Sequence, residues 1–152
     1  MDQSKQPGIK IDQVFLFESR FAHRKDALAL PPTTAIGELP INIEAKVLGK
    51  KGERAAAIML SAATNDDPTL LYSLHVEIAA VVSVVPGEEN LDPFEYAMGM
   101  GPAAFFPFLR EAVASITWKG RFGPIWLKPL NFLALEPIAQ TGEPESLLAP
   151  PA

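Results

Sequence analysis

The chain has 152 residues, 48% of them hydrophobic and 20% charged, with a formal net charge of −5 and no cysteine. That length accommodates one domain with a real core. The negative balance and the lack of a basic stripe exclude a nucleic-acid partner, and the absence of cysteine excludes disulfide and thiol chemistry.

Residues 1–8 are polar and read as a loose N-terminus. Its first dozen residues lack the apolar stretch of a secretory signal, so a cytoplasmic protein is expected. No run approaches the length of a membrane span; the longest apolar stretch, Ile78 to Val85, is interrupted by Ser83. Ile9 to Phe21 predicts a first strand, with Ile9, Ile11, Phe15, Phe17 and Phe21 on one parity and Val14 and Leu16 on the other. Residues 22–40 carry Pro31-Pro32, Gly37 and Pro40 and read as a long connection. Ile41, Ile43, Ala45 and Val47 then alternate with Asn42, Glu44 and Lys46, the mark of a half-buried second strand. Gly49-Lys50-Lys51-Gly52 is a hairpin loop, so Arg54 to Ala63 is read as a returning third strand, although its alanines favour a helix by propensity. After the turn Asn65-Asp66-Asp67-Pro68, Leu70 to Val85 is a fourth strand. From Ile78 both of its parities are apolar, as when both faces are covered.

Residues 91–98 suggest a short helical turn. In the next segment Phe105, Phe106, Leu109, Ala112, Val113 and Ile116 recur at helical spacing and form a broad apolar face. Pro102 suits the first turn, Pro107 predicts a bend or tightened turn, and Gly120 is placed to end the helix. Beyond it lie a Gly-punctuated turn and Pro129-Leu130-Asn131-Phe132. Pro137 limits any second helix to a short one, and about residues 138–152 read as a Pro-rich tail. The order of elements predicts an α+β fold in one domain: a four-stranded antiparallel sheet, with one long helix and a short C-terminal helix packed on one side.

The sequence offers little chemistry. His23 and His75 sit in different contexts, with no cysteine nearby and no ligand-like spacing, so no metal site is expected. No Gly-rich phosphate loop is present. Asp66-Asp67 and Glu88-Glu89 read as solvated turn charges. Arg110 and Glu111 are adjacent in a helix and point apart, so Arg110 is expected to bond a nearby carbonyl or carboxylate, and Asn131 to fix a turn. Neither catalysis nor a cofactor is expected. Met98, Met100, Phe105, Phe106, Phe108, Trp118, Phe122, Trp126 and Phe132 form a dense apolar set. Core packing explains most of it, and Met and aromatic side chains also suit an adaptable open groove.

One ordered string is more specific: Phe106, Pro107, Phe108, Arg110 and Glu111, followed by Gly120, Phe122, Leu127, Pro129, Asn131 and Phe132. It resembles the signature of the SecB family of export chaperones. The resemblance implies an ATP-independent holdase that binds unfolded preproteins in long apolar grooves and passes them to the SecA motor, assembled as a homotetrameric dimer of dimers. By position it implies a client-binding groove that includes Ile41, Ile43, Trp126, Leu127, Leu130 and Phe132. It implies an oligomer interface governed by Leu74, Val76 and Ile78, and SecA docking through Glu18 and Glu77. Two departures bear on SecA hand-over: the family's fourth-strand acidic position is His75 here, with Glu77 two residues on, and Pro137 cuts short the C-terminal helix. A SecB-like chaperone of a toxin–antitoxin system is the nearest alternative. A small-molecule binder on an α+β scaffold and a purely structural oligomer are alternatives of other classes.

Overall fold

Strands form where the alternating pattern places them, and the four expected between residues 9 and 85 are present. The structure, a computed structural model of the chain, describes residues 8–87, 91–130 and 135–140. Strands β1 (Ile9–His23), β2 (Ile41–Leu48), β3 (Ala55–Thr64), β4 (Tyr72–Val84) and β5 (Ile138–Gln140) make one sheet in the order β1-β4-β3-β2-β5. Helices α1 (Pro93–Gly99) and α2 (Gly101–Thr117) precede β5 in the chain.

The β2–β3 hairpin turns at Gly49 and Gly52, whose positive φ angles a side chain would resist. Strand β3 lies between β4 and β2, where neighbours on both sides pair its backbone. Ala56, Ala57 and Ala62 there are wholly buried, so cross-strand pairing overrides the helical preference of alanine. On one sheet face Ile58, Leu60, Leu74, Val76 and Ile78 meet Phe105, Phe106, Leu109 and Val113 of α2. Each such side chain contributes about 1.5–3 kcal/mol by leaving water. A Cβ on Gly101 would run into Ile58 Cδ1, so its absence lets the start of α2 approach the sheet. The helix continues through exposed Pro107, because the carbonyl that proline leaves unpaired, that of Ala103, lies on the exposed side.

Three expectations need correction. First, β1 does not keep one parity. Register shifts between Ile11 and Gln13, and between Leu16 and Glu18, change its phase twice. Ile9, Ile11, Val14, Leu16 and Phe21 therefore pair with helix-side residues of β4, while Phe15 pairs with Ala79 on the other face. Second, the sheet has five strands and is mixed, since β5 runs parallel to β2 with Lys46 opposite Ile138. Third, residues 138–140 are this strand rather than the start of a loose tail, and no C-terminal helix occurs among the described residues. Pro137 favours extended backbone before it and cannot donate within a helix, which leads the chain into strand pairing.

Candidate functional site

An open trough of about 850 Å³ runs between two segments, residues 32–43 and residues 122–130. Ile41, Ile43, Trp126, Leu127 and Leu130 all line it, so five of the six expected groove residues come together. Phe132, like Asn131, lies outside the described residues. Leu127 is buried in the core, Ile41, Ile43 and Leu130 are half-buried against it, and Trp126 is 60% exposed.

The 122–130 wall is stapled to the fold by side chains far away in sequence. The Tyr72 hydroxyl accepts the Phe122 N–H at 2.8 Å and donates to the Gly123 carbonyl at 2.8 Å. Burial pushes the Tyr72 pKa up, which keeps the hydroxyl neutral and able to do both. Thr117, fully buried at the end of α2, donates to the Val113 carbonyl at 2.7 Å and accepts the Ile125 N–H at 2.8 Å. His23 Nε2 accepts the Arg121 N–H at 2.9 Å, and the Arg121 guanidinium reaches the Leu30 carbonyl at 2.9 Å. Gly120 has no side chain because a Cβ there would collide with the Tyr72 hydroxyl.

The opposite wall is held differently. Across the rim the Lys128 ammonium pairs with the Glu38 carboxylate, and this pair holds the Glu38 carboxyl below the usual carboxylate range. Both side chains are exposed, so the link is electrostatically weak. The Arg110 guanidinium lies 5.9 Å from the Trp126 ring centroid and steadies that exposed ring; among the described residues no bond from Arg110 to a carbonyl or carboxylate is found. Within the dense apolar set, Phe105 and Phe106 are core, whereas Met100, Phe108, Trp118 and Trp126 are exposed.

Sequence reasoning missed Tyr72, Thr117, His23 and Arg121. His23, read as part of the connection over residues 22–40, instead ends β1 and packs edge-on against Tyr72 with ring centroids 5.2 Å apart. No local pattern marks these residues, since the bonds by which they tie down the wall span between 8 and 98 positions. Leu74, Val76 and Ile78 fill the core beneath α2. Glu18 and Glu77 face each other across β1 and β4 on the helix-free side, with His75 Nε2 at 3.7 Å from Glu18 Oε2. These three are the residues whose donor atoms could hold a metal ion among the described residues. Asp67 accepts from the backbone and hydroxyl of Thr69, as a turn aspartate does, while Glu88-Glu89 lie outside the described residues.

The family model of the preprotein translocase subunit SecB matches residues 2–140. The chain belongs to the SecB family. Protein-export proteins SecB from Xanthobacter autotrophicus and Rhodopseudomonas palustris (strain BisB5) are similar to it. The first is 30% identical over 80% of this chain and 75% of the relative; the second is 32% identical over 70% and 69%. The SecB protein of R. palustris strain BisA53 is 30% identical over 72% of this chain, which spans 66% of that relative's length. The SecB-like fold is shared with a solved Mycobacterium tuberculosis SecB-like chaperone in complex with a ChAD peptide from an antitoxin. That likeness has a TM-score of 0.59 at 22% identity, covering 81% of this chain and 91% of that one. No helix of the described residues is long and apolar enough to cross a membrane.

Proposed function

We propose that this SecB-family chain is an ATP-independent holdase, a single cytoplasmic domain that binds unfolded preproteins and keeps them competent for SecA-dependent export. The observation that carries the reading is the trough, which is open to solvent, largely apolar and lined by Ile41, Ile43, Trp126, Leu127 and Leu130. Burial yields about 25 cal/mol per Å² of apolar surface, so several client side chains laid along such a trough gain affinity without a defined sequence. Binding the unfolded client preferentially shifts its folding equilibrium, and this step needs no nucleotide. The charged groups that line the trough, Glu38 and Lys128, pair with each other at the rim rather than converge inside it, which disfavours the small-molecule reading.

Assembly belongs to the same proposal. Strand β1 lies at the sheet edge, and Ile11 and Leu16 there are 51% and 50% exposed. An apolar edge of this kind suits pairing with a second copy, and a dimer of dimers is the expected assembly. Because Leu74, Val76 and Ile78 are buried within the subunit, they would influence assembly through the shape of β4. SecA docking is assigned to the helix-free face around Glu18 and Glu77. A toxin–antitoxin role is the second reading; it is favoured by the antitoxin peptide bound to the M. tuberculosis fold relative and would use the same trough.

The deciding experiment follows the turbidity of a chemically denatured client diluted without ATP, beside a SecA pull-down and light scattering. Suppressed turbidity, SecA capture and a tetrameric mass are expected. Unchanged turbidity at equimolar chain rejects the holdase. Suppression of turbidity without SecA capture moves the reading toward the antitoxin role, and a monomeric mass rejects the assembly.

A further inference from the structure

We propose that Glu18, His75 and Glu77 form a binding site for one divalent cation of zinc-like chemistry on the helix-free face of the sheet. The three donor atoms already lie within 4.8 Å of one another. Around a bound zinc, with bonds of about 2 Å, ligand atoms sit roughly 3–3.5 Å apart, so closure requires a shift of little more than an ångström. The scaffold suits that shift. His75 and Glu77 stand two residues apart on β4, a strand paired on both sides, and Glu18 faces Glu77 from the edge strand β1. Glu18 is the exposed member, on the edge strand.

The bland alternative is a solvated charge cluster, and two features count against it. Carboxylates placed directly opposite each other on antiparallel strands repel, and Glu18 and Glu77 are such a pair. Glu44 adds a third, lying opposite Ser61, which itself lies opposite Glu77. In addition, Glu77 is only 9% exposed, and its side chain makes no hydrogen bond or salt bridge among the described residues. Arg20 and Lys46 offset part of the negative charge. Arg20 Nε takes Glu18 Oε1 at 3.0 Å and leaves Oε2 on the side of His75, while Lys46 reaches Glu77 only through space. An imidazole beside two carboxylates selects zinc, cobalt or nickel over magnesium or calcium, which prefer all-oxygen shells. Three protein ligands leave a coordination position for water or for a donor from a docked partner.

The site is legible only after strand pairing, since Glu18 lies far from the other two along the chain. The test titrates metal-stripped full chain with Zn²⁺ by calorimetry and with Co²⁺ by visible absorption. One ion per chain is expected, with His75→Ala and Glu77→Gln each weakening binding by more than about tenfold and His23→Ala leaving it unchanged. The absence of saturable binding, or binding that ignores His75→Ala and Glu77→Gln but is lost in His23→Ala, overturns the site. If either β4 variant fails to fold, Glu18→Gln and the imidazole resonances of the wild-type chain decide. Resonances of His75 that do not move on adding Zn²⁺, or undiminished affinity in Glu18→Gln, also overturn it.

Discussion

Replacing Tyr72 with Phe removes one oxygen from a ring that is otherwise wholly buried. The ring stays in place, so the cavity cost is small. What disappears is the acceptor for the Phe122 N–H and the donor to the Gly123 carbonyl, both at 2.8 Å. An unsatisfied buried polar group costs about 1–3 kcal/mol. Phe122 and Gly123 are half-buried, so water recovers part of that cost and the two together should amount to about 2–3 kcal/mol, roughly a 30- to 150-fold shift in local opening. A domain of this kind is stable by about 5–15 kcal/mol, so the fold should survive while the trough wall loosens. Hydrogen exchange read on peptides spanning residues 118–128 should show the lost protection, with urea unfolding run in parallel. On the proposed function, client suppression should weaken as well. Unchanged exchange together with an unchanged urea midpoint would refute the idea that the Tyr72 hydroxyl holds this wall.

Trp126→Ala should weaken client suppression while shifting stability by no more than about 1 kcal/mol, because the ring is exposed and its main partner is Arg110; thermal melting beside the turbidity assay checks both halves. Ile78→Asp should abolish cooperative unfolding rather than merely change oligomer mass, since it places a charge in the core beneath α2; circular dichroism of the purified variant decides. The carboxyl of Glu38 has its folded-state pKa depressed by Lys128, so the rim pairing is present above the ordinary carboxylate pKa and is lost as pH falls through the lower folded value. An NMR titration of Glu38 should therefore move upward in Lys128→Ala, and an unmoved titration would dissociate the pair.

Much of the fold was legible because the signals were local. The alternation from Ile41 to Val47, the loop Gly49 to Gly52 and the spacing of Phe105, Leu109 and Val113 each encode their element within a few residues. The bulges of β1 were hidden because an inserted residue resets the parity without leaving a compositional mark, and only pairing with β4 shows where it falls. Strand β5 was hidden because three exposed residues carry no periodicity. The candidate trough was half legible. The SecB-like string from Phe106 onward located Trp126, Leu127 and Leu130, while the buttress formed by Tyr72, Thr117 and His23 depends on contacts that only the folded chain creates. The packing of Leu74, Val76 and Ile78 beneath α2 was hidden for the same reason: alternation marks an apolar parity but does not say what covers it.

The two sides of the trough differ in a way that bears on cargo. Residues 121–125 are tied down by backbone bonds to Tyr72, Thr117 and His23, whereas among the described residues the stretch facing them before β2, residues 33–40, is tethered across the rim through the exposed ionic contact of Glu38. Such a jaw has one fixed and one yielding side, and the give of the yielding side sets the girth of chain it can grip. Bulky and slender segments would then share one cradle, and trimming residues 33–36 should narrow the repertoire before it lowers the grip on small ones.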